Sequence, residues 1–375
     1  MRNNAAEILR RAAKKYRATA PLATHDDQLP YRGGEGWLAS PFDGNSWWTG
    51  GFWPGLMWLL WSASGDDWFR DEALRSEDLL TAEFRTFEKL NHDVGFMYLL
   101  SCGAHFKMLG DPQAGTDTLH AANLLMGRFN PKGYIRAWNE RERVGFAIID
   151  CLMNLSLLFW ASDVTGDPRF AHVARAHADT TLREFVREDG SVCHIVEFDP
   201  MTGARVREHG GQGYAEGTAW SRGQAWALYG FVLAHANTGE ARYLEASRRV
   251  AGFFMEHIRE DGLTNCDFLQ PDSPERIDNI AGACAACGLI ELHRQTGDGR
   301  YLAAAEKLLD GLIDHCCDWS EEKCGLLTKC TASYHDDAAG VHTNIVYGDY
   351  FFVEALAKLA GCDPMIWRAE DKAHD

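Results

Sequence analysis

Two aspartates and one aromatic, arginine-bearing segment are the residues of this chain whose types and spacing could do chemistry. Asp150 stands in Ala147-Ile-Ile-Asp-Cys-Leu-Met-Asn154, an otherwise apolar stretch, with Asn154 one helical turn further along the same face. A carboxyl group in such surroundings is desolvated, which raises its pKa and keeps it protonated near neutral pH, the form a general acid needs. Asp93 stands in Asn91-His-Asp-Val-Gly-Phe96, beside His92. The third stretch, Glu216-Gly-Thr-Ala-Trp-Ser-Arg-Gly-Gln-Ala-Trp226, sets Trp220, Arg222 and Trp226 among glycines. That is a poor composition for a plain core helix. Tryptophan faces stack on sugar rings, and a guanidinium fork grips a carboxylate. Capping of a helix start is the alternative role for each aspartate. It fits Asp93 better than Asp150, which falls after its apolar run has begun.

The elements that must position these residues follow from a recurring pattern: an apolar run, a glycine with a neighbouring acid, then an amphipathic segment. It occurs at Ser64-Gly65-Asp66, Leu109-Gly110-Asp111-Pro112, Thr165-Gly166-Asp167-Pro168, Thr238-Gly239-Glu240, Thr296-Gly297-Asp298 and Ala360-Gly361-Cys362-Asp363-Pro364. The glycine predicts a left-handed helix stop, and the acid and proline predict the next helix start. Segments before each glycine, such as Phe52 to Trp61 and Ile148 to Trp160, are apolar all round and so covered on every side. Segments after it carry one apolar stripe, as in Phe170, Val173, Ala174, Ala178, Leu182 and Phe185, or Tyr301, Ala304, Ala305, Leu308 and Leu312. Six buried helices alternating with six amphipathic ones predict an all-α fold, an (α/α)6 barrel filling residues 1–375 as one catalytic domain.

That topology gathers the stretches leading into the inner helices at one rim. They are Asn45-Ser-Trp-Trp-Thr-Gly-Gly-Phe-Trp53, the Asp93 segment, Val144-Gly-Phe-Ala-Ile-Ile-Asp150, Glu216 to Trp226, Asp278-Asn-Ile-Ala-Gly282 and Val346-Tyr-Gly-Asp-Tyr350. Glycine, aromatic and acidic residues brought together in this way describe a carbohydrate-sized cleft. The 13 tryptophans, more than folding requires, agree with it.

Composition bounds the remaining possibilities. Hydrophobic residues make up 46% of the chain and charged residues 24%, a globular balance. A net charge of −17 leaves no basic patch for a nucleic-acid partner. It does not oppose an anionic small substrate, which a few local cations can hold. The amphipathic start, from Met1 to Tyr16, has no signal-peptide core, and no run reaches membrane-span length. The 11 cysteines, an odd number mostly inside apolar stretches, predict reduced thiols and a cytoplasmic protein. Cys284 and Cys287 have CxxC spacing without a second pair and read as packing. His315, Cys316, Cys317, Cys324 and Cys330 match no specific zinc pattern. No phosphate loop, nucleophile elbow or H-E-x-x-H helix is present, and nothing calls for a metal or an organic cofactor.

With these segments in view, the chain resembles the unsaturated glucuronyl hydrolases. The likeness is carried by Asn91 to Phe96, Ile148-Ile-Asp-Cys-Leu-Met-Asn-Leu155 and Gly217 to Trp226, with support from Trp47 to Trp53 and Tyr347 to Phe352. The resemblance implies an (α/α)6 enzyme acting on oligosaccharides whose non-reducing end is a 4,5-unsaturated uronic acid left by a polysaccharide lyase. It implies hydration of the C4=C5 double bond, with Asp150 protonating C4 and Asp93 orienting the substrate and supporting Asp150. It also implies that Trp48, Trp138, His194, Gln212, Arg222 and Trp226 line the unsaturated sugar's subsite, to which the residue-level reading adds Trp220. The family often has His-Gln-Gly where this chain has Gly211-Gln212-Gly213, and an aspartate where it has Glu216.

The reading is thus an unsaturated glucuronyl hydrolase for glycosaminoglycan-type disaccharides, acting as a monomer or weak homo-oligomer. Three alternatives stand beside it. One is an unsaturated rhamnogalacturonyl hydrolase acting on pectin fragments, because the W-x-R-G-Q-x-W core is shared with that group. Another is an inverting glycosidase using Glu216 or Asp349 to activate water. The last is an inactive sugar-binding toroid.

Overall fold

The structure, a computed structural model, describes residues 4–22 and 27–369. The helices are α1 (Ala5–Thr19), α2 (Phe52–Ser64), α3 (Asp67–Ala82), α4 (Val94–Tyr98), α5 (Ala104–Leu109), α6 (Pro112–Met126) and α7 (Cys151–Thr165). They continue with α8 (Pro168–Glu184), α9 (Ser221–Thr238), α10 (Ala241–Glu256), α11 (Asn279–Thr296), α12 (Gly299–His315) and α13 (Val346–Ala360). A π turn, Leu99–Gly103, joins α4 to α5 into one irregular helix.

α2, α4–α5, α7, α9, α11 and α13 touch in succession, and α13 returns against α2 to close an inner ring. α1, α3, α6, α8, α10 and α12 pack outside it. The protein is an (α/α)6 barrel, as the alternation in the sequence predicts. The amphipathic stripes meet the ring with Phe170, Ala174 and Ala178 of α8 and Tyr301, Ala305, Leu308 and Leu312 of α12. The inner helix α9 is buried from Ser221 through Ala234. The sixth outer helix is α1, since no helix follows Gly361 among the described residues. The first three residues of the expected N-terminal helix lie outside the described residues. After α13 the chain turns back and inserts Trp367 among Phe96, Tyr229, Tyr350 and Phe351, its indole N–H donating to Glu354 at 3.2 Å.

Each inner helix ends as its glycine predicts. Gly65, Gly110, Gly166, Gly239, Gly297 and Gly361 all lie in the left-handed region, with φ between 69° and 75°. Asp66, Asp111, Asp167 and Asp298 then accept the backbone N–H two residues on and start the outer helices. These junctions fix the far end of the barrel and leave the inner N-termini at the near end.

Short antiparallel strands occupy the near-end connections. β1 (Pro30–Arg32) pairs with β2 (Leu38–Ala39), and β3 (Phe129–Asn130) with β4 (Tyr134–Ile135). β5 (Phe146–Ile148), β6 (Ile195–Phe198) and β7 (Arg205–His209) form a sheet in that order. β5 corrects the sequence reading, which carries the helix back to Ile148. Phe-Ala-Ile is a short apolar run compatible with strand or helix, and here it has β6 to pair with. The helix starts only at Cys151, so Asp150 sits at its N-cap position and not inside it. No helix among the described residues is long and apolar enough to cross a membrane.

The glycine stops give two substitutions of opposite sign. A Cβ at Gly166 or at Gly252, within α10, would meet nothing within 4 Å, so sterics cancel between them. Gly166→Ala forces a left-handed alanine and is expected to destabilise by about 1 kcal/mol. Gly252→Ala, in ordinary helical backbone, is expected to stabilise by about 0.5 kcal/mol. Urea unfolding of both variants measures this, and equal shifts would contradict the assignment of Gly166 as an obligate left-handed stop.

Candidate active site

At the near end the connections into the inner helices surround a cavity of about 900 Å³, within the range of small-molecule sites. Trp47 and Trp48 line it from the segment before α2, His92 and Asp93 from before α4, Trp138 and Asp150 from before α7, and His194 and Gln212 from before α9. Among the described residues, the segments before α11 and α13 do not line it. Asp278 and Tyr347 are buried behind the wall. The cleft is therefore built by four of the six connections that the sequence pattern gathers at this rim.

Asp93 and Asp150 occupy the floor. Both are at N-cap positions, and neither side chain accepts a hydrogen bond from the first turn of its helix. Capping does not account for them. Asp93 instead receives Asn154 Nδ2 at 3.3 Å on Oδ1, and its Oδ2 lies 3.4 Å from His92 Nε2. Asp150 Oδ1 is buried with no hydrogen-bond partner. One ligand-type atom from each of His92, Asp93 and Asp150 lies within 4.8 Å of the others, so the two carboxyl groups share one small space.

Asn154 ties this floor together. Its Nδ2 also donates to the Asp150 carbonyl at 3.2 Å, and its Oδ1 accepts the Phe96 backbone N–H at 2.7 Å. α7 is thereby locked onto the first turn of α4. The approach is close enough that a Cβ at Gly95 would lie 2.7 Å from the Asn154 Cα, so only glycine fits there.

Burial governs the electrostatics. Desolvation pushes the Asp150 carboxyl up to about 7. It raises Asp93 well above the carboxylate range too, with the charge of Asp150 adding to the effect. Burial drives His92 well below its usual value and His194 to about 3, so both rings are neutral. His194 Nδ1 lies 3.0 Å from the Gln212 backbone N–H and 3.2 Å from the Gly210 carbonyl, which fixes the ring against that loop. Two titrating carboxyls this close ionise as a pair. The floor holds a transferable proton near neutral pH.

The walls are braced from behind by Arg128 and among themselves by side-chain contacts. Arg128 donates to the carbonyls of Arg136, Ala137 and Trp138 at 2.8–2.9 Å and to Asn139 Oδ1 at 2.7 Å. Asn139 Nδ2 in turn reaches the carbonyls of Glu88 and Leu90. The loop bearing Trp138 is so fixed to the loop bearing Asp93. Trp48 packs on Tyr347 at 4.9 Å and on Phe96 at 5.7 Å. Gln212 is held by a bond from Nε2 to the Ala332 carbonyl at 2.8 Å.

Three of the expected sugar contacts do not reach the cavity surface. Arg222 is fully buried, and its guanidinium is committed to Asp278 at 2.5 Å and to the carbonyls of Thr331 and Ala332. It cannot grip a ligand carboxylate in this arrangement. Trp220 is also buried, wedged between His194, at 4.1 Å, and the Arg222 guanidinium, at 4.6 Å. Trp226 is a core residue against Phe96 and Phe351. The two candidate bases of an inverting enzyme are elsewhere. Glu216 pairs with Arg207 on the surface, and buried Asp349 is saturated by Tyr16, Leu326, Leu327 and Asn344. Cys284 and Cys287 are buried packing residues, and His315 and its neighbouring cysteines do not assemble into a metal-holding group among the described residues. His92 and Arg128 are the members that residue patterns did not nominate. The signal for His92 was adjacency to Asp93; an arginine 35 positions from its aspartate offered none.

Comparison with known proteins adds the following. The family profile "Glycosyl Hydrolase Family 88" matches residues 26–237. The unsaturated glucuronyl hydrolase of Bacillus sp. (strain GL1) is 38% identical over 329 residues, covering 84% of this chain and 86% of that protein. The unsaturated chondroitin disaccharide hydrolase of Streptococcus pyogenes serotype M1 is 34% identical, covering 84% and 81%. Among solved structures, the Bacillus sp. GL1 unsaturated glucuronyl hydrolase superposes with a TM-score of 0.87 at 34% identity, over 99% of this chain and 98% of that one. A mutant of the Streptococcus agalactiae unsaturated glucuronyl hydrolase, complexed with dGlcA-GalNAc6S, gives a TM-score of 0.82 at 27% identity over 96% and 92%.

The raised pKa of Asp150 makes stability depend on pH. Between the ordinary aspartate value and about 7 the folded chain keeps a proton that the unfolded chain has lost. Stability therefore falls as pH rises through that window. Asp150→Asn has no such proton, so its melting temperature relative to the unsubstituted protein should be higher at pH 8 than at pH 5. Thermal melts of both at the two pH values test it, and an equal difference would show Asp150 ionised throughout.

Proposed function

The chain belongs to glycosyl hydrolase family 88 and is an unsaturated glucuronyl hydrolase, and we propose that Asp150 is its general acid, acting on lyase-generated glycosaminoglycan-type disaccharides. One observation carries the assignment. Asp150 is the carboxyl on the cavity floor that is raised toward neutrality by burial and has an oxygen free of any partner.

The substrate's non-reducing sugar carries a C4=C5 double bond conjugated to its carboxylate and attached to the ring oxygen. Asp150 delivers its proton to C4, the π electrons form the new C4–H bond, and the positive charge at C5 is shared with the ring oxygen. Water adds at C5, and the proton it sheds returns to the Asp93–Asp150 pair. The hemiketal so formed opens at its C5–O5 bond to a C5 ketone and leaves a hemiacetal at C1. The C1–O bond to the second sugar then breaks as the C1 hydroxyl gives up its proton to the departing oxygen, releasing the second sugar and a 4-deoxy-5-keto uronic acid. Asp93, held by Asn154 and His92, positions the substrate beside the acid. Trp48 and Trp138 offer aromatic faces for the sugar rings, and neutral His194 and Gln212 offer hydrogen bonds.

The same reading takes residues 1–375 as one catalytic domain. All 11 cysteines are free thiols, which supports a reducing, cytoplasmic setting.

Loss of the ultraviolet absorbance of the conjugated uronate measures the reaction directly. Against unsaturated disaccharides prepared from chondroitin, hyaluronan, heparin and pectin, the glycosaminoglycan products should lose absorbance fastest. Asp150→Asn should lower kcat by about 10³-fold or more while calorimetry still detects binding. Near-normal turnover by that variant would remove Asp150 from the role, and a preference for the pectin product would redirect the substrate.

A further inference from the structure

An anionic substrate in a chain of net charge −17 needs a local cation, and the arginine nominated from the sequence is not available. Arg222 belongs to Asp278 and Arg128 to backbone carbonyls. At the cavity itself, His209 faces Glu197 at 2.9 Å and Lys89 lies 3.7 Å from Asp43. Arg143 also lines the cavity, at the end of the exposed turn Arg141–Arg143. It makes no ion pair among the described residues. Its guanidinium instead lies 4.6 Å over the Trp138 ring.

Stacking on tryptophan holds the guanidinium plane while leaving its N–H edges to bond outward, which preorganises it for a planar or tetrahedral oxyanion. Its depth in the cleft indicates which part of a substrate it meets. The reacting double bond, and the carboxylate attached to it at C5, must lie against the buried floor at Asp150. The sugar to be released extends toward the mouth, where Arg143 is exposed and Glu88 and Glu140 are the nearby acids lining the rim. We propose that Arg143, seated on Trp138, forms a subsite for an anionic substituent, a sulfate or carboxylate, on the leaving sugar. This rests on the reading of the site given above and adds to it the charge of the second sugar.

The test compares an unsaturated chondroitin disaccharide with and without a 6-sulfate on its second sugar. In the active protein, Arg143→Gln should lower the sulfated-to-unsulfated ratio of kcat/KM about 5- to 10-fold, through KM. Arg143→Lys, which keeps the charge without the fork, should fall between. The same ratio is measured as binding constants by calorimetry in Asp150→Asn and in Asp150→Asn/Arg143→Gln, where turnover plays no part. A ratio unchanged by Arg143→Gln overturns the subsite, and so does an equal loss on both disaccharides, which would place Arg143 on the unsaturated ring or in the scaffold. Absence of double-bond consumption by the unsubstituted protein would instead refute the hydration reading, and the binding ratio would still decide the subsite.

Discussion

Two carboxyl groups closed into one dry floor cannot both be charged, and the rest of the site is arranged around that constraint. The groups that touch Asp93 and Asp150 are an amide and a neutral imidazole, neither of which supplies a countercharge. Arg222 and Arg128, the cations nearest the floor, are engaged behind the walls, and Arg143 stands at the exposed rim. Arg222 opposes the rise of Asp150, yet it is paired with Asp278 and bonded to two carbonyls. A guanidinium turned onto the floor beside Asp150 would pull it toward the ordinary carboxylate range and leave it unable to donate a proton. The buried ion pair thus has a meaning beyond the local fold. Its own contribution to stability is of uncertain sign in general, whereas removing one partner would strand a buried charge at a cost of about 3–5 kcal/mol.

The barrel imposes a second tension. All inner helices present their N-termini to the near end of the barrel, and the positive end of a helix dipole stabilises an anion. Asp93 and Asp150 are both placed where an aspartate would ordinarily accept first-turn N–H groups and become more acidic. Such a cap contributes about 1 kcal/mol of stability. The far end of the barrel takes that contribution, at Asp66, Asp111, Asp167 and Asp298. At the near end Asp278 caps α11 in the same way, but Asp93 and Asp150 forgo it, and Asp150 Oδ1 is left buried without a partner among the described residues. Asp93 and Asp150 thus do the opposite work of the far-end aspartates at equivalent helix positions, because their carboxyl groups are dry and uncapped.

What was legible in the sequence follows from the range of the interactions involved. The glycine stops and acidic caps are local, so all six junctions, the alternation of buried and striped helices, and hence the barrel could be read directly. Asp150 was legible because a carboxyl in an apolar run violates the composition of its surroundings. The start of α7 was not, since whether Phe146–Ile148 is strand or helix depends on β6, which lies more than 40 residues away. The surroundings of Arg222 were hidden for the same reason. An arginine between tryptophans looks like a ligand clamp until Asp278 and the carbonyls of Thr331 and Ala332, all distant in sequence, arrive beside it. Arg128 and Asn139, which brace Trp138 against the Asp93 loop, act through backbone carbonyls that carry no residue-type signature at all.

The absence of a charged partner for the acid bears on the type of reaction. Displacement at an anomeric carbon requires two carboxyl groups with opposed roles, one protonated and one ionised to attack or to activate water. That division is made by giving the two groups different environments. Here burial raises both members of the pair, and the acids that might have served as a separate base are engaged elsewhere, Asp349 in the core and Glu216 on the surface. Protonating a carbon–carbon double bond makes a different demand. It needs one acid strong enough to transfer its proton and dry enough to retain it until a substrate arrives. The cation that results is stabilised by the substrate's own ring oxygen, so no enzymic anion has to be held in reserve. A floor that opposes ionisation of both its carboxyl groups is suited to hydration for the same physical reason that it is unsuited to displacement.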